Sequence, residues 1–210
     1  LSNVSLEIKK GEKVAIFGKN GCGKSSLMTA LLRFIDYEGD IIIDGKNVKE
    51  ISVKSQRSLI AYVPQNPQIM EGTILENLKF GNNKISNDTV LDLCKAYKTH
   101  NIFKHFENGY STNVGESGKF LSGGQKQQLS FMRAVIKDSD IYLIDEPTSN
   151  LDKKSEFEML NLVFEKMTNK TVIAILHNPK FLEKFDKILG VHDGVISVYT
   201  SYDDFLMDKN

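Results

Sequence analysis

A chain of 210 residues with 40% apolar content is long enough to bury one sizeable core, and its 27 Lys+Arg balance 27 Asp+Glu to a net charge of zero. That balance excludes the broad basic footprint of a general nucleic-acid binder. Two cysteines, Cys22 and Cys94, stand in unrelated contexts and supply neither a disulfide framework nor a zinc pattern; apolar runs such as VIAIL at 172–176 are of strand length, far below the roughly 20 residues of a bilayer span.

The chain opens LSNVSLEIKK, without an initiator methionine or a signal-peptide pattern, as expected of an excised piece of a longer protein. Val4, Leu6 and Ile8 alternate with polar residues and predict a half-exposed strand, whereas the unbroken apolar run VAIF at 14–17 predicts one buried on both faces. A glycine-rich loop, GKNGCGKS at 18–25, follows at once, and Leu27, Leu31 and Phe34 then recur at helical spacing. DIIIDG at 40–45 reads as a strand ending in a turn, and LIAYVPQ at 59–65 as a strand stopped by Pro64. Residues 73–107 read as short helices, one of them capped by Ser86 and carrying Val90, Leu91, Cys94 and Tyr97 on one face. Beyond them lie a buried strand, DIYLID at 140–145, an amphipathic helix over 153–167, and a second buried strand, TVIAIL at 171–176. HDG at 192–194 signals a hairpin, and YDDFL at 202–206 starts a closing helix.

Gly18, Gly23, Lys24 and Ser25 satisfy the pattern G-x-x-x-x-G-K-[ST], placed between a strand and a helix as a phosphate-binding loop requires. Glycines let the backbone N–H groups of Lys19, Asn20, Gly21, Cys22 and Gly23 converge on phosphate oxygens, and the helix start around Lys24, Ser25 and Ser26 adds a favourable dipole. Lys24 neutralises β- and γ-phosphate charge, and the Ser25 hydroxyl is a ligand for Mg²⁺.

Asp145 ends the strand DIYLID, where open parallel sheets bind ligands, and is expected to hold Mg²⁺ through water. Glu146 follows it, and adjacent carboxylates on an extended chain point apart, so one is free to face the metal and the other an attacking water. Leu121, Ser122, Gly123, Gly124 and Gln125 form LSGGQ just before the convincing helix QKQQLSFMRAVIKD, a second helix end suited to an anion. One triphosphate needs one such cradle on its own chain, so the spare one is explained if its anion belongs to a partner.

With LIDEPTSNLD, these segments resemble the nucleotide-binding domain of ATP-binding cassette (ABC) transporters over essentially the whole chain, from Leu1 to about Leu206. The resemblance implies a P-loop NTPase fold: an α/β domain with a RecA-like, mostly parallel sheet, an antiparallel β portion near its start, and a helical subdomain inserted over 66–138 between core segments 1–65 and 139–210. It implies ATP and Mg²⁺ as ligands, and ATP sandwiched between the phosphate loop of one domain and the LSGGQ signature of a second. It further implies that Gln65 contacts Mg²⁺ and the attacking water, that His177 is the switch histidine on the γ-phosphate, and that Asp152 lies at the dimer seam. Glu146 is then the catalytic base.

GTILENL at 72–78 and VGESG at 114–118 resemble exporter sequences, Glu116 standing where the family meets the coupling helices of its transmembrane domains. The expected partners are thus a second nucleotide-binding domain, on the same or a different chain, and transmembrane domains, with no nucleic acid, at the cytoplasmic face of a membrane. The alternative is a non-transport ABC ATPase acting on nucleic acid or in translation, yet 26–120 carries neither the heptads nor the cysteine pairs of repair members. Lys126 and Gln128 replace arginines frequent after the signature, and the family's adenine-stacking aromatic precedes the first strand, outside this sequence.

Overall fold

The computed structural model describes residues 1–146 and 153–208, in two compact units. The first comprises Leu1–Tyr62, Asp140–Glu146 and Asn169–Asn210; the second comprises Val63–Ser139 and Pro147–Thr168. In chain order the elements are β1 (Lys13–Gly18), α1 (Lys24–Leu31), β2 (Ile42–Ile43), β3 (Lys46–Asn47), α2 (Val53–Leu59), β4 (Ile60–Val63), α3 (Ile74–Lys79), α4 (Asn87–Ala96), α5 (His100–Lys104), α6 (Gly123–Lys137), β5 (Ile141–Asp145), α7 (Lys153–Lys166), β6 (Thr171–Ile175), β7 (Lys187–His192), β8 (Val195–Tyr199) and α8 (Tyr202–Met207).

The first unit is built on a sheet of order β4-β5-β6-β1-β7-β8. β5, β6, β1 and β7 run parallel, and β8 returns antiparallel through a turn in which Asp193 and Gly194 have φ of 46° and 80°. Two successive positive φ values give the twist a tight hairpin needs. The central strands are apolar on both faces because both are covered. Val14, Ile16, Leu143, Ile173, Ile175, Leu189 and Val191 close on Met28 and Leu32 in one core cluster.

Register is what positions the site. Ile16 and Asp145 both lie opposite Ile175, and Gly18 lies opposite Val191, so the C-terminal ends of β1, β5 and β6 share one edge of the sheet.

Two expectations change. Val4, Leu6 and Ile8 join no strand: Leu6 and Ile8 are half-buried against the core cluster while Val4 is exposed. Their alternation is satisfied by packing, without a ladder of backbone hydrogen bonds. Phe34 lies beyond the end of α1 and is 56% exposed, because Arg33 takes a φ of 55° and turns the chain out of the helix. DIIIDG forms only a short antiparallel pair, β2 with β3, about Asp44 and Gly45.

In the second unit the first turn of α4 is capped as its sequence predicts, Ser86 Oγ accepting from the Thr89 N–H at 3.1 Å. α6 buries Leu129, Phe131, Met132, Val135 and Ile136 and holds a half-buried guanidinium: Arg133 donates to the Asn77 carbonyl at 2.9 Å, to Asn77 Oδ1 at 2.8 Å and to the Gln68 carbonyl at 2.9 Å. A planar donor fork suits these three acceptors as an ammonium would not.

Candidate functional site

The loop after β1 is shaped by close approach. A Cβ at Gly18 would run into the Val191 carbonyl oxygen and stand 2.9 Å from Cys22 Sγ, so only glycine fits. Gly23, with φ of 105°, is the residue before α1, and no side chain caps that helix start. First-turn N–H groups have no intrahelical acceptor, and here none is taken by a cap at position 23, which leaves an anion-binding end. Lys24 is only 5% exposed and folds back over the loop, donating to the carbonyls of Gly18 at 3.0 Å and Lys19 at 2.9 Å. Its ammonium is held against the loop's inner rim, while Lys19, Asn20, Gly21, Ser25 and Ser26 are exposed and Cys22 is half-buried.

At the end of β5, Asp145 is 5% exposed. Its Oδ2 stands 3.4 Å from the Tyr62 hydroxyl on β4, and its Oδ1 is buried without a hydrogen-bond partner. Burial, with the neighbouring Glu146 charge, pushes its carboxyl above the usual range, while Tyr62, Ser25 and Lys24 pull the other way. A buried carboxylate oxygen with no donor, beside a serine hydroxyl, fits a hard cation that takes oxygen ligands. Among the described residues no group of three or more His, Cys, Asp or Glu could hold a metal ion. Tyr62 was not singled out from the sequence; only the pairing of β4 beside β5 brings it to Asp145.

Glu146 leaves the strand with φ of 46°, and its Oε1 lies 2.5 Å from Nε2 of His177, two residues beyond β6. Parallel neighbours in register bring these two ends together. The first unit thus gathers Lys24, Ser25, Asp145, Glu146 and His177.

The second unit holds Gln65, exposed in a bend after Pro64, and the LSGGQ residues. Leu121 is 7% exposed. Ser122 Oγ accepts from the Gln125 N–H at 3.2 Å, and Gln125 Oε1 accepts from the Ser122 N–H at 2.8 Å, a reciprocal capping box. Helix geometry gives the N–H groups of Gly123 and Gly124 no intrahelical acceptor. Glu116 is exposed in a turn whose Ser117 has φ of 52°, and Lys126 ties that turn to α6 by donating to the Ser117 carbonyl at 3.0 Å. Asp152 lies outside the described residues.

A mostly parallel sheet whose first strand runs into a phosphate loop, with an acidic residue at the end of a neighbouring strand, is the P-loop NTPase fold. The ABC transporter family model matches residues 1–149, and the chain belongs to that family as its ATP-binding domain. It is 40% identical to ABC transporter B family member 2 of Dictyostelium discoideum, over 93% of this chain and 14% of the relative. Against ABC transporter B family member 14 of Arabidopsis thaliana it is 35% identical, over 92% of this chain and 16% of the relative. It superimposes on a bacterial Atm1-family ABC exporter with ATP bound at a TM-score of 0.92 and 33% identity, covering 99% of this chain and 36% of that one. The chain therefore spans a minor part of the proteins it resembles. No helix among the described residues is long and apolar enough to cross a membrane.

Proposed function

We propose that the chain is the Mg²⁺-dependent, ATP-hydrolysing domain of an ABC exporter, working against a second such domain and joined to transmembrane domains, at the cytoplasmic face of a membrane. The observation that carries this reading is the 2.5 Å contact of Glu146 with His177 beside a buried, unpartnered Asp145 oxygen. Glu146, His177 and Asp145 thus stand at the C-terminal ends of neighbouring strands, on the edge from which the glycine loop leaves β1, a placement that supports reading them as base, orienting partner and cation ligand. Similarity to B-family transporters and to an Atm1-family exporter supports the exporter branch over a nucleic-acid-directed ATPase.

In this mechanism backbone N–H groups of 19–24 and the Lys24 ammonium bind the β- and γ-phosphates, Lys24 exchanging its present bonds to the loop carbonyls for phosphate oxygens. Ser25, and Asp145 through water, would hold Mg²⁺, which supplies charge neutralisation on the transferring phosphoryl group. Glu146, steadied by His177, accepts the proton of a water aligned with the γ-phosphorus; the new P–O bond forms as the bond to the bridging oxygen breaks, and ADP and phosphate leave. Ser122, Gly123 and Gly124 serve the γ-phosphate held by the partner domain.

Glu146→Gln tests the assignment. A positioned general base contributes about 10²–10⁴ in rate, so steady-state phosphate release should fall by that factor while ATP binding persists. Unchanged turnover removes Glu146 from the role.

A further inference from the structure

We propose that Tyr62 is a positioning residue for the metal-binding carboxylate of Asp145, holding Oδ2 so that Oδ1 is the oxygen presented to a divalent cation. This rests on the reading of Asp145 given above. The geometry divides the work of the two oxygens. Oδ2 lies 3.4 Å from the Tyr62 hydroxyl, whereas Oδ1 is buried and unpartnered. Both residues sit on adjacent strands of one sheet within one compact unit, so the contact is set by strand pairing.

Ordinary packing does not explain the hydroxyl. A buried carboxylate flanked by Glu146 loses most when it lacks donors, and the phenol is the donor β4 offers it. A phenylalanine would fill nearly the same space without restraining the carboxylate. The 3.4 Å separation is long for an O–H···O bond, so the restraint in this state is weak. Tyr62 touches neither nucleotide nor cation in this scheme and acts only through Asp145.

The test is Mn²⁺ uptake followed by electron paramagnetic resonance in the presence of ATP, on the unmutated chain, Tyr62→Phe and Asp145→Asn, with ATP affinity measured separately in EDTA. Tyr62→Phe should raise the half-saturating Mn²⁺ concentration about three- to tenfold, the loss expected for one hydrogen bond, and leave metal-free ATP affinity unchanged. An Mn²⁺ titration equal to that of the unmutated chain overturns the inference; so does an equal loss of metal-free ATP affinity, which marks a purely structural role. If Asp145→Asn takes up Mn²⁺ as well as the unmutated chain, the reading of Asp145 itself falls. If Asp145→Asn is impaired and Tyr62→Phe is not, only the inference about Tyr62 falls.

Discussion

Two helix starts in this molecule carry glycine-rich entries, and they are finished in opposite ways. α1 begins at Gly23 in a left-handed conformation with no side-chain cap, while α6 begins at Ser122 inside a complete capping box with Gln125. The first is an uncapped helix start whose lysine is turned inward over its own loop. The second is steadied without any ligand by the reciprocal bonds of Ser122 and Gln125, which leave only the N–H groups of Gly123 and Gly124 without an intrahelical acceptor. This asymmetry is physically sensible for a site in two halves. In the proposed two-domain site, the half that binds ATP on its own chain must leave its N–H groups available, whereas the half offered to the partner's nucleotide has to survive in water meanwhile.

Breaking the open half should cost the most. Lys24→Ala removes a charge-assisted bond, and ATP affinity of the single chain should drop about 10–100-fold by equilibrium titration. The closed half should respond in stability instead. Ser122→Ala deletes an N-cap worth about 1 kcal/mol, so the melting temperature should fall roughly 2–4 °C, with ATP affinity of the single chain unchanged. A matching loss of affinity would place Ser122 on its own chain's nucleotide and undo the division.

Asp145 sharpens the contrast from the other side. Its carboxyl is held above the usual range mainly by burial, so the charged form is disfavoured by folding, and stability is gained as pH falls through that raised pKa. Asp145→Asn should therefore raise the melting temperature of the ligand-free chain by a few degrees while lowering its uptake of divalent metal. A lower melting temperature would show that the empty site is not strained by this carboxylate.

The smallest effect compares α6 with α3, whose capping box is made by Thr73 and Glu76. Hydrogen bonds from Thr73 depress the Glu76 carboxyl, so its contribution is present above the ordinary glutamate range and is lost as pH falls through the depressed value. Gln125 does not titrate. Hydrogen exchange corrected for pH should show the first turn of α3 losing protection in acid while that of α6 keeps it.

What could be read from the sequence was what is local. The phosphate loop, the Ser86 cap and the buried strands are each written within a few consecutive residues, and each forms where its pattern stands. The Glu146–His177 contact and the approach of Tyr62 to Asp145 depend on β4, β5 and β6 being neighbours, which no short pattern states. Alternation at Val4, Leu6 and Ile8 misleads for a related reason: period two reports which side chains turn inward, and says nothing about whether a strand stands alongside to pair with. At Phe34 the helical spacing continues past a backbone reversal at Arg33 that hydrophobic periodicity does not encode.

The central claim, that ATP is enclosed by an open half-site of one domain and a closed half-site of another, is tested most directly by sedimentation velocity of Glu146→Gln with and without Mg²⁺ and ATP. The account predicts a nucleotide-dependent doubling of mass that is lost when Ser122 and Gly124 are replaced by bulky acidic residues. Sedimentation as a monomer at saturating ATP, together with full turnover by the unmutated chain at the same monomeric state, would contradict it.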